Sequence, residues 1–205
     1  MFATKTLNFL AHALLSGNNN EILLGNFVAD SVKGKMLENY GTAFRQGVKL
    51  HRAIDHFTDT HPLVITSNQL VQPYFRKFSG VVTDIYFDHF LARHWSKYSS
   101  RPLTEFVTEV YDLLNKNFDQ LPPRSQRIIP WMVKLNWLEG YADFMMLERV
   151  FQGMSNRTKF KSGMTKAVEV LRLEYANLEK NFLEYFPQLQ AFSTDFLNDR
   201  KQIEN

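Results

Sequence analysis

Residues 43–62 read AFRQGVKLHRAIDHFTDTHP. The apolar residues recur at helical rather than strand spacing, which predicts a helix over about 41–58. Thr60-His61-Pro62 ends it, and Pro62 suits the first turn of the next helix. The same signals recur on both sides of this stretch. Upstream, a helix over about 4–16 stops at Gly17 and the Asn18-Asn19-Asn20 turn, and Asn20 can cap a second over about 21–33, ended by Gly34. Downstream, the fourth helix frays near Pro73 and Ser79-Gly80. Helices are expected next over about 81–96, 102–118, 124–138 (bent at Pro130) and 140–152. GMSNRTKFKSG, 153–163, reads as a loop, followed by a long helix over about 163–184 and a last one after Pro187. Runs of strict alternation are lacking, so the expected fold class is all-α, a multi-helix bundle forming one domain over 1–205.

Composition agrees with a packed globule. Apolar residues make up 44% of the 205 residues and aromatics 14%, which excludes a disordered chain. No apolar run is long enough for a transmembrane helix, and the start, MFATKTLNFLAHALLSG, reads as a first helix and not a signal peptide. With no cysteine there is no disulfide, thiolate ligand or thiol nucleophile, and a cytoplasmic location is expected. The net charge of +3 is too small to argue for nucleic acid, and no membrane partner is expected; it favours an acidic partner. Dinucleotide and P-loop glycine motifs, HExxH, the GxSxG elbow and the EF-hand pattern are all missing.

The histidines carry the chemistry. They lie at 12, 51, 56, 61, 89 and 94, and residues 95–205 have none. Residues four apart share a helix face. Four polar series of this kind occur in apolar surroundings: Asn8 with His12, Asn26 with Asp30, His51 with Asp55 and Asp59, and Asp84 with Asp88. One such pair is more often a local hydrogen bond or a cap than a ligand set. Four together suggest a divalent metal site between helices, because buried carboxylates must be paired or metal-bound. Imidazole with carboxylate suits Mn, Fe, Zn or Ni and not calcium. Steps of five take His56 and His61 off the His51 face, so both are expected at the surface or behind the ligands, and His94 is expected to be structural. Arg52 adjoins the ligand stripe and could bind a phosphate; Arg93 and Arg157 read as solvated.

NFLAHALLSG, LLGNFVADSVKGK, GVKLHRAIDHFTDTHP and DIYFDHFLARHW, in this order, resemble the acyl carrier protein phosphodiesterase family, as do the later LNWLEGYADFMMLERVFQGMSNRTKF and NFLEYFPQL. The resemblance implies an all-helical relative of the HD-type metal phosphohydrolases, dependent on Mn2+, with Mg2+ and Fe2+ as the other candidates. It implies hydrolysis of the phosphodiester that joins 4′-phosphopantetheine to the serine of holo-acyl carrier protein, an acidic protein substrate. The family motifs cover His12, Asp30, His51, Arg52, Asp55, Asp59, Asp84, Asp88 and His89. No His-Asp dipeptide occurs, and the adjacent pair Asp88-His89 is reversed, so the ligand set cannot be copied from HD enzymes at large. It rests on helix faces: His12, Asp30, His51, Asp55, Asp84 and Asp88. Arg52 is then expected on the phosphate, Asp59 orienting water or a ligand histidine, and His89 protonating the departing serine oxygen. Lys33, Lys35, Arg45 and Lys49 are expected to steer the acidic carrier. Two alternatives stay open: another metal phosphohydrolase acting on a nucleotide or small phosphodiester, and a non-enzymatic helical module whose His and Asp residues satisfy one another.

Overall fold

The structure, a computed structural model, describes residues 8–158 and 161–203. Among the described residues there are eleven α-helices, joined by short 3-10 turns, and no strand. The all-α expectation holds. The helices are α1 (Phe9–Leu14), α2 (Asn20–Val28), α3 (Thr42–Thr60), α4 (Pro62–Phe75), α5 (Ser79–Arg93), α6 (Leu103–Lys116), α7 (Pro123–Lys134), α8 (Trp137–Gly140), α9 (Phe144–Arg157), α10 (Ala167–Leu173) and α11 (Tyr175–Ile203). No described helix is long and apolar enough to cross a membrane.

The closest helix pair is α2 against α3, and two glycines explain it. A methyl group on Gly25 would overlap the carbonyl of Phe44, and one on Gly47 would overlap that of Ile22. Only glycine allows backbones this close. Gly47 sits one turn before His51, so the contact sets how near His51 comes to α1 and α2. Helix α5 runs through the centre and is buried on nearly every side from Val82 to Ala92, except at Asp84. It packs on α1, α4 and α11. Phe87 and Phe90 of α5 meet Phe182 of α11 at ring distances of 5.5 and 5.8 Å, and Phe182 stacks on Phe186.

Several boundaries differ from expectation, each for a local reason. Asn19, not Asn20, caps α2: its side chain accepts from the N–H groups of Glu21 and Ile22. Helix α2 stops at Val28, and a 3-10 turn over Ala29–Ser31 carries Asp30. Asp143 caps a helix that runs to Arg157, into the segment expected to be a loop. The helix expected over 163–184 breaks at Glu174, between α10 and α11. Helix α11 then continues through Pro187, where a new start was expected. Pro187 lies on the exposed face, so the carbonyl it leaves unpaired can bond water, while Phe186 and Leu189 beside it are buried. The first helix was expected from residue 4; residues 4–7 lie outside the described residues, as do 159–160 of the expected loop.

Candidate metal centre

Helix α1 is short, so its placement depends on its ends. The N–H groups of Leu10 and Ala11 each donate to an oxygen of Asp88, at 2.9 and 3.0 Å. Asp88 is fully buried on α5 and thus caps α1 from a helix 77 residues away in sequence. Burial pushes its carboxyl up to about 8, against the pull of these two donors. Both oxygens are engaged with backbone, which differs from the ligand role expected of it.

Anchored in this way, α1 turns His12 inward at 2% exposure. Its Nδ1 lies 2.7 Å from Oδ1 of the fully buried Asn26 on α2. The Asn26 amide donates both its hydrogens, to the His12 carbonyl and to Ser16 Oγ, each at 2.9 Å. Its oxygen is therefore the acceptor, and His12 carries its proton on Nδ1. That leaves the Nε2 lone pair facing Asp55 Oδ1 at 3.4 Å, with no hydrogen bond made by Nε2. Burial and the neighbouring His51 lower the pKa of His12, with Asp55 opposing them.

His51 comes from α3, 5% exposed, its ring stacked on His12 with centroids 4.1 Å apart. Both of its ring nitrogens are buried without a hydrogen-bond partner. Its Nε2 lies 3.4 Å from Asp55 Oδ2 and 3.7 Å from Asp30 Oδ1. One ligand atom from each of His12, His51 and Asp55 falls within 4.8 Å of the others. A lone pair facing a carboxylate oxygen at 3.4 Å calls for a cation between them. Two ligands on one transition-metal ion at ~2.1 Å each stand about 3 to 3.5 Å apart, so the donor set and spacing fit such an ion.

More carboxylates surround this triad. Asp84 on α5 is half-buried; burial, and then the charges of Asp55, Asp59, Asp88 and Asp30, hold it well above the usual carboxylate range. Carboxylates gathered this closely are relieved by a bound cation, which reverses that shift. Asp59 is exposed near the end of α3, one turn beyond Asp55. The structure thus brings together His12, His51, Asp55 and Asp30, with Asp84 and Asp59 within electrostatic reach.

Other expected site residues lie elsewhere. Arg52 is exposed and outside the lining of the neighbouring cavity. His89 is fully buried, with Nδ1 2.8 Å from the Tyr141 carbonyl and Nε2 3.4 Å from the Tyr175 hydroxyl. Burial lowers its pKa to about 4, so it is neutral at pH 7 and poorly suited to donate a proton. His61 caps α4 by accepting from the Leu63 N–H, His56 is exposed, and His94 pairs with Glu179 at 2.8 Å.

A cavity of about 670 Å3 opens beside the triad. His12, His51 and Asp30 line one side, and α7 and α9 supply an apolar wall that includes Ile128, Met132, Val150 and Met154. Arg124, Arg127, Arg149 and Arg157 also line it. None of these was singled out from sequence for this place; Arg157, read as solvated, is exposed and also borders the cavity. Asn26 was seen only as a neighbour of Asp30 in helical spacing. The wall could not be read from spacing, because α7 and α9 come beside His12 and His51 only through tertiary packing.

The family model described as acyl carrier protein phosphodiesterase matches residues 7–189. A Photorhabdus laumondii protein of that name is 31% identical over 193 residues, covering 93% of this chain and 98% of its own length. Proteins of the same name from an Enterobacter species and from Yersinia pestis are each 32% identical, covering 90% and 89% of this chain and 96% and 95% of their own. No solved structure matches. A family match over most of the chain, and identities above 30% along its length, place the chain in the acyl carrier protein phosphodiesterase family.

Proposed function

We propose that this protein hydrolyses the phosphodiester between 4′-phosphopantetheine and the serine of holo-acyl carrier protein, releasing apo-carrier and 4′-phosphopantetheine. The family membership supports the substrate. The observation that carries the metal dependence is the stacked His12–His51 pair, with the Asp55 carboxylate facing both imidazoles at 3.4 Å. In this reading His12, His51 and Asp55 hold a divalent ion, with Asp30 and Asp84 adjoining it; Mn2+ is the first choice and Mg2+ or Fe2+ the others. When bound, the metal supplies Lewis acidity, activating water near neutral pH and withdrawing charge from the phosphoryl oxygens.

The chain's own residues do the rest. Asn26 holds His12 in the tautomer that presents Nε2. Asp88 fixes the α1 backbone that carries His12. The cavity beyond His12 and His51 is large enough for a flexible prosthetic arm. In this reading Asp59, exposed one turn beyond Asp55 on α3, orients an incoming water. Lys33, Lys35, Arg45 and Lys49 are all exposed, which suits steering of an acidic protein.

Intact-mass spectrometry of holo-acyl carrier protein tests this, with the purified protein and either Mn2+ or chelator. Loss of the 4′-phosphopantetheine mass with Mn2+, blocked by chelator, is expected. No conversion despite bound metal would sink the carrier assignment and turn attention to other phosphodiesters.

A further inference from the structure

We propose that Arg124, at the first turn of α7, is the side chain that holds the non-bridging phosphate oxygens at the metal centre. The proposal rests on the phosphodiesterase reading and assigns the phosphate contact to a residue outside the histidine-bearing segments. The first turn of α7 packs on the Ala29–Ser31 turn that carries Asp30. Arg124 is half-buried there and lines the same cavity as His12, His51 and Asp30. Its Nη1 lies 3.5 Å from the Asp30 carbonyl, the outer limit of a hydrogen bond. A guanidinium has five N–H donors, so most remain for a ligand. Among the described residues no carboxylate forms an ion pair with it.

Three further features point to an anion at this place. Helix α7 has 12 residues and no side-chain cap; Pro122 and Pro123 carry no N–H and Ser125 donates to the Pro122 carbonyl, so the Arg124 N–H is the donor left at this end. His51 lines the same cavity, and its buried Nδ1 has no hydrogen-bond partner; with Nε2 turned to the metal, Nδ1 carries the proton and can donate to an anion. Asp30, Asp55, Asp59 and Asp84 crowd the centre with negative charge, so a phosphodiester needs a fixed cation beside the metal to enter. Arg52 cannot take this part without moving: it is exposed on α3 and does not line the cavity. Its neighbour His51 does, because adjacent helical residues point about 100° apart.

The test uses inorganic phosphate as a probe of binding and holo-acyl carrier protein as substrate, both with Mn2+. Calorimetry should show phosphate binding to the wild type and about tenfold or more weaker binding to Arg124→Ala, with Mn2+ affinity unchanged. The kcat on the carrier should fall about a hundredfold. Arg124→Lys should recover part of both, since it keeps the charge and loses the planar fork. Arg52→Ala should stay within about twofold of wild type. If Arg124→Ala melts early, Arg124→Gln keeps most of the stem packing and carries the comparison.

Wild-type phosphate affinity in the Arg124 variants, equal losses in Arg52→Ala, or no phosphate binding by the wild type would each overturn the proposal. Failure of the wild type to process the carrier, with phosphate binding still lost in Arg124→Ala, would remove the carrier reading and leave the phosphate clamp standing. Full carrier turnover by Arg124→Ala would do the opposite.

Discussion

The two lengths of chain that meet at the cavity differ in kind. Residues 8–94 bring the six histidines and the clustered aspartates, on α1, α3 and α5, just past the ends of the last two, and on the Ala29–Ser31 turn. Residues 123–157 bring no histidine; they bring an apolar wall and four arginines on α7 and α9. The first part is built around buried polar groups that need one another or a cation. The second closes the other side of the cavity with apolar and positively charged side chains. In the proposed reading, metal binding and substrate binding come from separate stretches, and mutations in the two should fail in different ways.

The sharpest test of that division is Asp55→Ala. It removes the carboxylate that both imidazoles face, and turnover should fall by roughly three orders of magnitude or more. Calorimetric Mn2+ binding should vanish with it, while Arg149→Ala and Arg157→Ala keep wild-type Mn2+ affinity. A loss of metal binding in those α9 variants would break the division.

His89 crosses it, tying α5 to the Tyr141 carbonyl and to Tyr175. Its folded pKa of about 4 lies below the ordinary 6.5. Between those values the unfolded chain binds the additional proton. Stability should therefore be complete above about pH 6.5, fall by roughly 3 kcal/mol as pH drops toward 4, and change no further below that through this group. Urea unfolding at a series of pH values measures this. His89→Gln should flatten the profile between pH 4 and 6.5, and an unchanged slope would remove His89 as its source.

Asn26→Ala comes next. It frees the His12 tautomer without touching a ligand atom, and Mn2+ affinity should weaken by about 10- to 100-fold. An effect as large as that of Asp55→Ala would mean that Asn26 is itself a ligand.

The smallest expected effects concern carrier docking. Charge reversal at Lys33 and Lys35 should raise KM for the carrier a few-fold and flatten its dependence on ionic strength, because exposed charges act mainly on association rate. The same reversal at Arg127 and Arg149, also exposed, tests the other stretch. A larger effect there would move the docking surface to α7 and α9.

Much of this molecule could be read along the chain, because helix faces are local. The series His51–Asp55 and Asn8–His12, and the exclusion of His56 and His61 from the His51 face, follow from 3.6 residues per turn. His12, His51 and Asp55, which that geometry puts among the candidate ligands, come together as a group that could hold a metal ion. The all-α class follows from the same periodicity, and so do most helix ends that proline or a cap defines. Pro187 is the exception, since a proline on a solvent-facing side of a helix need not end it when burial on the opposite side outweighs the lost bond.

What could not be read was anything that depends on which helix lies beside which. Asp88 shares a face with Asp84 and looks equally like a ligand, yet it caps α1, because the start of that helix lies against it. His89 follows it in sequence but faces Tyr141 and Tyr175, on a different side of the same helix. Arg124 is one of several arginines with no distinguishing pattern around it, and its place beside Asp30 follows only from the packing of α7 on that turn. Periodicity fixes directions about one helix axis. The distances between axes are set by packing, here by Gly25 and Gly47 and by the aromatic contacts of α5 with α11, and those decide which buried polar groups meet.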